Sequence, residues 1–524
     1  MTFVSGSFLL GFLPAILILF TLATRYAPRA AVPVLLGGSL LFYLLADARS
    51  LPLLVLSCLV NFGIGRAMDA APATRRRAWL ALGIVLNLLP LFWFKYGAGA
   101  DPQSSQPAGS FVGSGIPLGL SFYTFGQLSF LLDVYRGETA RLGLVRYGVF
   151  TGFFAQLPAG PITRWRDLAP QIAAIGKRAV PAATVAAGLS LFLIGLVKKS
   201  LFGDSLGHFV NAVHQIAEEG RAPNMVEAWL AAWGFLLQLY FDFSGYSDMA
   251  IGVAMCVGLR LAVNFNSPLK AASGSQWVDR WHMSLVGWVR DYLYQPVFNL
   301  VRKAPLGKPQ TTRLWAWAIA TIASMSVIGA WHGSQPLLWG GGIVFGLVLV
   351  AVQLPVLLWP RKQRATDAAG APAATWLGRV LLMMLLATLV LSVRARDGGT
   401  LLVFLKAMFD PTTLSLPRGL AGAMQGFSPA WLRFEGVFPG VAYAWRFDIL
   451  VLAAATCIGL WAPNTMQLFG LLPGGVKGSP AALRVERWRF RPSVAWGLAI
   501  GVVAIAAVLF TGSLGGQEFI YARF

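Results

Sequence analysis

"LWAWAIATIASMSVIGAWHG", residues 314–333, runs through eighteen uncharged residues, 314–331, before it reaches His332. At the standard helical rise such a run extends about 27 Å, close to the hydrocarbon thickness of a bilayer. A longer apolar run follows, and His332 is the only residue with an ionisable side chain between Arg313 and Arg361. The stretch reads as a membrane helix that carries a single imidazole to, or into, the membrane.

The rest of the chain agrees. Of 524 residues, 56% are hydrophobic and 12% charged, with a mean hydropathy of +0.65. A soluble domain has about a quarter of its residues charged, so this composition excludes that class. Runs near or above crossing length recur around 8–24, 78–98, 182–203, 225–243, 246–263, 314–332, 336–360, 375–393, 446–462 and 492–511, with more broken ones at 31–46, 51–65 and 116–135. The expectation is an all-α, polytopic integral membrane protein with about 10–13 membrane segments. It forms a single membrane domain over 1–524, with a core at 116–345 and C-terminal transmembrane helices and loops at 361–524.

The N-terminal "MTFVSGS" lacks the basic start and the cleavage site of a signal peptide, so the first helix is expected to be retained. Cys58, Cys256 and Cys457 stand alone in apolar surroundings, which suggests neither a disulfide framework nor a metal site. The formal charge of +21 resides in short loops rather than in a basic tail or an aromatic-interleaved patch, so nucleic acid is not the expected partner. It follows the positive-inside pattern. Arg25 and Arg29 mark one loop, Arg66, Arg75, Arg76 and Arg77 another, while "ADARS" is neutral and 98–115 holds only Asp101. That alternation puts the N-terminus and the 98–115 loop outside.

"YGVFTGFFAQLPAGPIT", residues 147–163, breaks the pattern because Arg136, Arg141 and Arg146 precede it and Arg164, Arg166, Lys177 and Arg178 follow. A single crossing does not join two cytoplasmic ends, and Pro158 and Pro161 with three glycines oppose a straight helix. A re-entrant or in-plane element is expected, tolerated at membrane depth only where protein or a water-filled cavity satisfies its backbone.

In "LQLYFDFSGYSDMA", residues 237–250, Asp242 and Asp248 interrupt an apolar sequence, and "SGYS" between them suggests a helix break. An ionisable group deep in a bilayer costs at least about 2.5 kcal/mol, so both need partners or a polar cavity. Pairing with arginine to hold the bundle together is one reading, and direct chemistry is the other. In "WVDRWHMSLVGWVRDYLY", residues 277–294, Trp281, Leu285, Trp288 and Tyr292 form an apolar stripe, as on a helix lying partly in the membrane plane that carries His282 inward. His208 and His214, in "GHFVNAVHQ", read as exposed residues of a polar loop.

Seven blocks in order, "PLGLSFYTFGQLSFLLDVYRG" (117–137), "FFAQLPAGPITR" (153–164), "GLSLFLIGLVKKSLFGDSL" (188–206), "QLYFDFSGYSDMAIG" (238–252), "NFNSP" (264–268), "RWHMSLVGWVRDYLY" (280–294) and "AWHG" (330–333), resemble the signature blocks of the membrane-bound O-acyltransferase family. The branch resembled is the bacterial alginate O-acetyltransferase group. "APNTMQLF" (462–469) and "FIYARF" (519–524) extend the likeness.

The resemblance implies acyl transfer from a thioester to a hydroxyl, with His332 as the essential histidine and His282 as the other. A hydroxyl is a poor nucleophile at neutral pH, and a positioned imidazole takes its proton as attack develops. That role requires His332 in a wet pocket reachable from both membrane faces. His282 is expected to orient donor or acceptor. Asp242, Asp248, Asn264, Asn266 and Trp331 are candidates for the wall, and Arg280 and Arg290 for donor phosphates or lipid headgroups. Asp279 stands where relatives carry an arginine, and "QPVFNLV" replaces a glycine pair, so contacts near His282 depart from the pattern.

The resemblance further implies acetyl-CoA as donor substrate, with no bound cofactor and no metal. The acceptor is expected to be an exopolysaccharide or cell-envelope glycan, alginate-like, or a periplasmic esterase-like partner that completes transfer. The location is the cell inner membrane, among membrane lipids. A transporter and a non-catalytic scaffold of a polysaccharide synthase remain as alternatives.

Overall fold

The computed structural model describes residues 1–97, 115–138, 143–304, 307–333, 335–358, 372–415, 433–434, 446–472 and 486–513. The polar 98–115 loop, apart from its last residue, and the terminal "FIYARF" lie outside them. The described chain is helical throughout: α1 (Ser7–Tyr26), α2 (Pro28–Asp47), α3 (Leu51–Ala70), α4 (Ala73–Tyr96), α5 (Leu120–Arg136), α6 (Leu144–Gly152), α7 (Trp165–Ala174), α8 (Ala182–Val197), α9 (Ser205–Glu218) and α10 (Met225–Cys256). After these come α11 (Gly274–Val278), α12 (Met283–Val289), α13 (Gln295–Arg302), α14 (Pro309–His332), α15 (Pro336–Leu358), α16 (Pro372–Arg394), α17 (Gly398–Met408), α18 (Arg446–Trp461), α19 (Thr465–Leu468) and α20 (Val494–Ser513).

Eight helical segments among the described residues are long and apolar enough to cross a membrane, and three shorter apolar helices accompany them. The exposed side chains of the outer helices are those a lipid phase accepts, among them Ile18, Leu19, Leu89, Trp315, Val327 and Leu381. The protein is multi-pass.

α10 is the central post. A capping box starts it: Asn224 accepts from the Glu227 N–H at 2.9 Å, and Glu227 accepts from the Asn224 N–H at 2.8 Å. Every residue from Gly234 to Cys256 is buried. The helix runs unbroken through "SGYS", against the expected break and the expected two segments over 225–263. The reason lies across the α8 interface. Gly195 and Gly188 face Gly245 and Gly252 so closely that a Cβ on Gly195 would lie 2.6 Å from the Gly245 carbonyl oxygen, and one on Gly188 2.5 Å from that of Gly252. Small residues there let two backbones touch, a packing that holds membrane helices together without a hydrophobic drive.

Beyond α8 a π-helical turn, Lys198–Asp204, leads directly into α9, so the apolar segment runs from Ala182 to Glu218. "GHFVNAVHQ" is therefore helix rather than polar loop. His208 is half-buried, and His214 is fully buried with its ring 4.3 Å from that of Phe404. The alternating apolar residues Phe209, Val210, Val213 and Ile216 pull this face into the core.

The 147–163 stretch is not a simple crossing, in keeping with its flanking charges. α6 has nine residues, too few to cross, and the chain then turns irregularly to α7 with every residue of 147–163 buried. Hydroxyls satisfy its backbone: Phe154 N–H donates to Ser39 Oγ at 3.2 Å and Ile162 N–H to Ser284 Oγ at 3.0 Å. Thr163 Oγ1 in turn accepts from Ala262 N–H at 3.1 Å. Protein, not lipid, surrounds this irregular backbone.

Candidate active site

The 277–294 stretch is not one helix. α11 ends at Val278, the chain bends, and α12 starts after His282, whose backbone is left-handed (φ 45°, ψ 48°). Among the described residues only Ser267 and His282 are non-glycine residues with positive φ. A left-handed L-residue costs roughly 1–2 kcal/mol, and such strain gathers at functional sites. Here it is offset by two main-chain bonds across the bend, Asn266 N–H to Arg280 O at 3.0 Å and Met283 N–H to Asn264 O at 2.8 Å. The bend turns the imidazole inward, and His282 is 3% exposed.

Asn264 organises that ring. Its Oδ1 lies 3.2 Å from His282 Nδ1 and accepts the Ser284 hydroxyl at 2.5 Å, while its Nδ2 donates to Ser247 Oγ at 3.0 Å. An amide oxygen only accepts, so Nδ1 carries the hydrogen, and in the neutral ring Nε2 keeps its lone pair. Phe243 closes one side, its ring 4.7 Å from the imidazole and nearly perpendicular to it.

His332 ends α14. Gly329 packs against α15 at Gly342, where a Cβ on Gly329 would meet the Gly342 Cα at 2.8 Å. The His332 side chain is half-buried, its ring 4.7 Å from that of Trp331, and it is close enough to His282 for the two imidazoles to interact electrostatically. Trp331 is buried against Phe125 at 5.3 Å, and Phe125 in turn touches Trp288 of α12 at 4.6 Å. Two histidines fifty residues apart in sequence thus stand on elements joined by a chain of aromatic contacts, Trp331–Phe125–Trp288.

The aspartates do not join them. Asp242 pairs with Lys199 at 3.1 Å, and Lys199 also meets Asp204 at 2.5 Å. Asp248 pairs with Lys198 at 2.8 Å and accepts from Thr465 at 2.7 Å. Lysines of the π-helical turn, rather than arginines, hold them. At 100° per residue Asp242 stands about 140° around the helix from Ser247. Asp242 and Asp248 therefore serve the α8–α10 seam and leave the histidine wall to Phe243, Ser247 and Asn264.

Asn266 lies one step away, its Oδ1 accepting from Asn464 at 3.3 Å. Arg280 is half-buried beside Lys270, and Arg290 is an exposed cation leaning on Asp291 at 3.3 Å. Asp291 gathers the basic residues that follow 147–163: Arg164 at 2.7 Å and Arg166 at 2.6 Å. Burial works against its charge, yet these arginines hold the Asp291 carboxyl below the ordinary carboxylate range.

Two neighbours of His332 escape a reading based on histidines and carboxylates. Lys95, 3% exposed, donates to the Trp331 carbonyl, and Tyr96 donates its hydroxyl to the Ala330 carbonyl. Their signal is present: 78–94 is uncharged and ends at one cation, the pattern that marks His332. A lysine closing an apolar run ordinarily reaches the interface, which hides it.

A cavity of about 630 Å³ lies at the far end of α14, lined by Tyr294, Phe298, Arg313 and Trp317 among others. It is a full helix length from His332. Among the described residues no cluster of three His, Cys, Asp or Glu side chains suits a metal ion.

A family model described as the membrane-bound O-acyltransferase family matches residues 127–391, which contain both histidines, Trp288 and Trp331. The chain belongs to this family. The acyltransferase is 37% identical over 356 residues to the probable alginate O-acetylase AlgI of Azotobacter vinelandii, covering 64% of this chain and 68% of that one. The corresponding protein of Pseudomonas aeruginosa is also 37% identical, over 357 residues, with 64% and 65% covered. The peptidoglycan O-acetyltransferase of Helicobacter pylori is 29% identical over 378 residues, with 65% and 68% covered. The matched part of the acyltransferase thus spans about two thirds of these relatives.

Proposed function

We propose that this acyltransferase takes an acetyl group from cytosolic acetyl-CoA for O-acetylation of an exopolysaccharide or envelope glycan outside the inner membrane, with His332 as general base. The convergence of His332 and His282, within a family whose members named above acetylate alginate or peptidoglycan, carries the reading.

In this reading a ring nitrogen of His332 accepts the hydroxyl proton while the oxygen attacks the thioester carbonyl. The carbon–sulfur bond then breaks, and the departing thiolate takes the proton back. The ester carries the acetyl group and the thiol leaves neutral. His282, its Nδ1 anchored on Asn264, offers Nε2 to orient the acceptor or donor. Holding both reactants in one aromatic-walled site supplies up to roughly 7–11 kcal/mol of the barrier, so few ionisable groups suffice. The acceptor is the glycan hydroxyl itself or a hydroxyl on a periplasmic esterase-like partner that completes transfer.

The test is mass spectrometry of surface glycans from a deletion strain complemented with the parental gene or His332→Ala. Ester loss restored by the parent and not by the variant supports the reading. Unaltered esters in the deletion strain overturn it.

A further inference from the structure

The end of α4 reaches the C-terminal end of α14. Lys95 and Tyr96 are consecutive residues at the end of α4, more than two hundred positions from His332. A buried cation in a membrane segment is costly enough to need a purpose. The Lys95 ammonium donates to the Trp331 carbonyl and lies 5.0 Å from the centre of the Trp331 indole. Tyr96 donates to the Ala330 carbonyl, with the Gly333 carbonyl 3.3 Å from the same oxygen. The two residues that precede His332 are therefore gripped through their carbonyls.

The last carbonyls of any helix lack partners within it and carry the negative end of the helix dipole. In a water-excluded site they take up whatever donor is near. Lys95 and Tyr96 fill that demand from outside α14, and Lys95 also interacts electrostatically with His332. Asn61 and Asn87 exchange hydrogen bonds of 2.6 and 3.3 Å, and Asn61 donates to Gln127 at 3.1 Å, which locks α4 to α3 and α5 in the depth of the bundle. The clamp therefore has a fixed base.

We propose that Lys95 and Tyr96 are positioning residues for His332: the ammonium and the phenol bind the terminal carbonyls of α14 and set the place of the catalytic imidazole. The inference rests on the reading of His332 as general base. Displacement of a catalytic group by about 1 Å costs up to a hundredfold in rate.

The experiment uses inside-out membrane vesicles from the complemented deletion strain, supplied with radiolabelled acetyl-CoA, with ester label counted at equal amounts of membrane-inserted protein. For Lys95→Ala the rate at saturating acetyl-CoA falls roughly ten- to hundredfold, while the KM for acetyl-CoA stays within about threefold. Ethylammonium, which replaces the lost side-chain end, restores a large part of the rate. Tyr96→Phe shows a smaller loss of the same kind. A parental rate in Lys95→Ala, a change confined to KM, or a loss that ethylammonium leaves untouched would overturn the inference. His332→Ala, run alongside, reports on the reading beneath it: if the parent incorporates no more label than His332→Ala, that reading fails, whereas failure of Lys95 alone leaves it standing.

Discussion

On one side of α10, Phe243 covers the His282 ring and Ser247 supports Asn264; on the other, Asp242 and Asp248 meet Lys199 and Lys198. Both faces are buried and polar inside a membrane protein. The ionic face is closed, since each carboxylate has a lysine and Asp248 has Thr465 as well. Its neighbourhood is continuous helix, with a π-helical turn and glycine contacts. The histidine face instead combines neutral hydrogen-bonding groups, a left-handed residue and a second imidazole from another helix. The intramembrane carboxylates are thus a poor guide to chemistry here, because a buried carboxylate survives only when it is paired. A neutral imidazole needs no counterion at this depth.

The contrast breaks most sharply at His332. His332→Ala is expected to lower the saturating rate of acetyl transfer about 10²- to 10⁴-fold with no change in thermal stability in detergent. A rate within threefold of the parent would remove the chemical role from the histidine face.

Lys199→Ala tests the opposite face. It leaves Asp204 and Asp242 without their shared cation, and the expected cost is about 3–5 kcal/mol of stability. Melting in detergent reads this loss, while the rate per folded molecule at low temperature stays near the parental value. A lost rate at unchanged melting temperature would return the aspartates to the active site.

Asn264→Ala sharpens the comparison further. It removes the acceptor that orients His282 Nδ1, so a loss of roughly tenfold in the saturating rate is expected, the equivalent of one net hydrogen bond of about 1.4 kcal/mol. Equal rates would mean that the ring finds its direction from Phe243 and the bend alone.

The smallest effect belongs to Asp291, which pairs with Arg164 and Arg166. Its folded carboxyl titrates below the unfolded value, so its contribution is present above about pH 4 and is lost as pH falls through the lower, folded value. Solvent reaches the group, and the contribution is at most about 1 kcal/mol. Asp291→Asn should therefore flatten the acid limb of the stability curve slightly. A steeper acid limb would contradict the pairing with Arg164 and Arg166.

What the sequence settled follows from local physics. Long uncharged runs have no stable place but a membrane, and basic loops on both sides of 147–163 exclude a simple crossing, so the multi-pass fold and the short, buried character of 147–163 were both legible. The lone His332 at the end of such a run was legible for the same reason. Family motifs added His282 to it. Other features depended on partners distant in sequence. "SGYS" looks like a break until Gly195 of α8 lies against Gly245 within it. His214 looks solvated until Phe404 covers it. The lysines that neutralise Asp242 and Asp248, and the grip of Lys95 on the Trp331 carbonyl, join positions with no shared periodicity. Hydropathy acts residue by residue along the chain, whereas the choice of ion-pair partner, of helix contact and of the imidazole's neighbours is made only when helices converge.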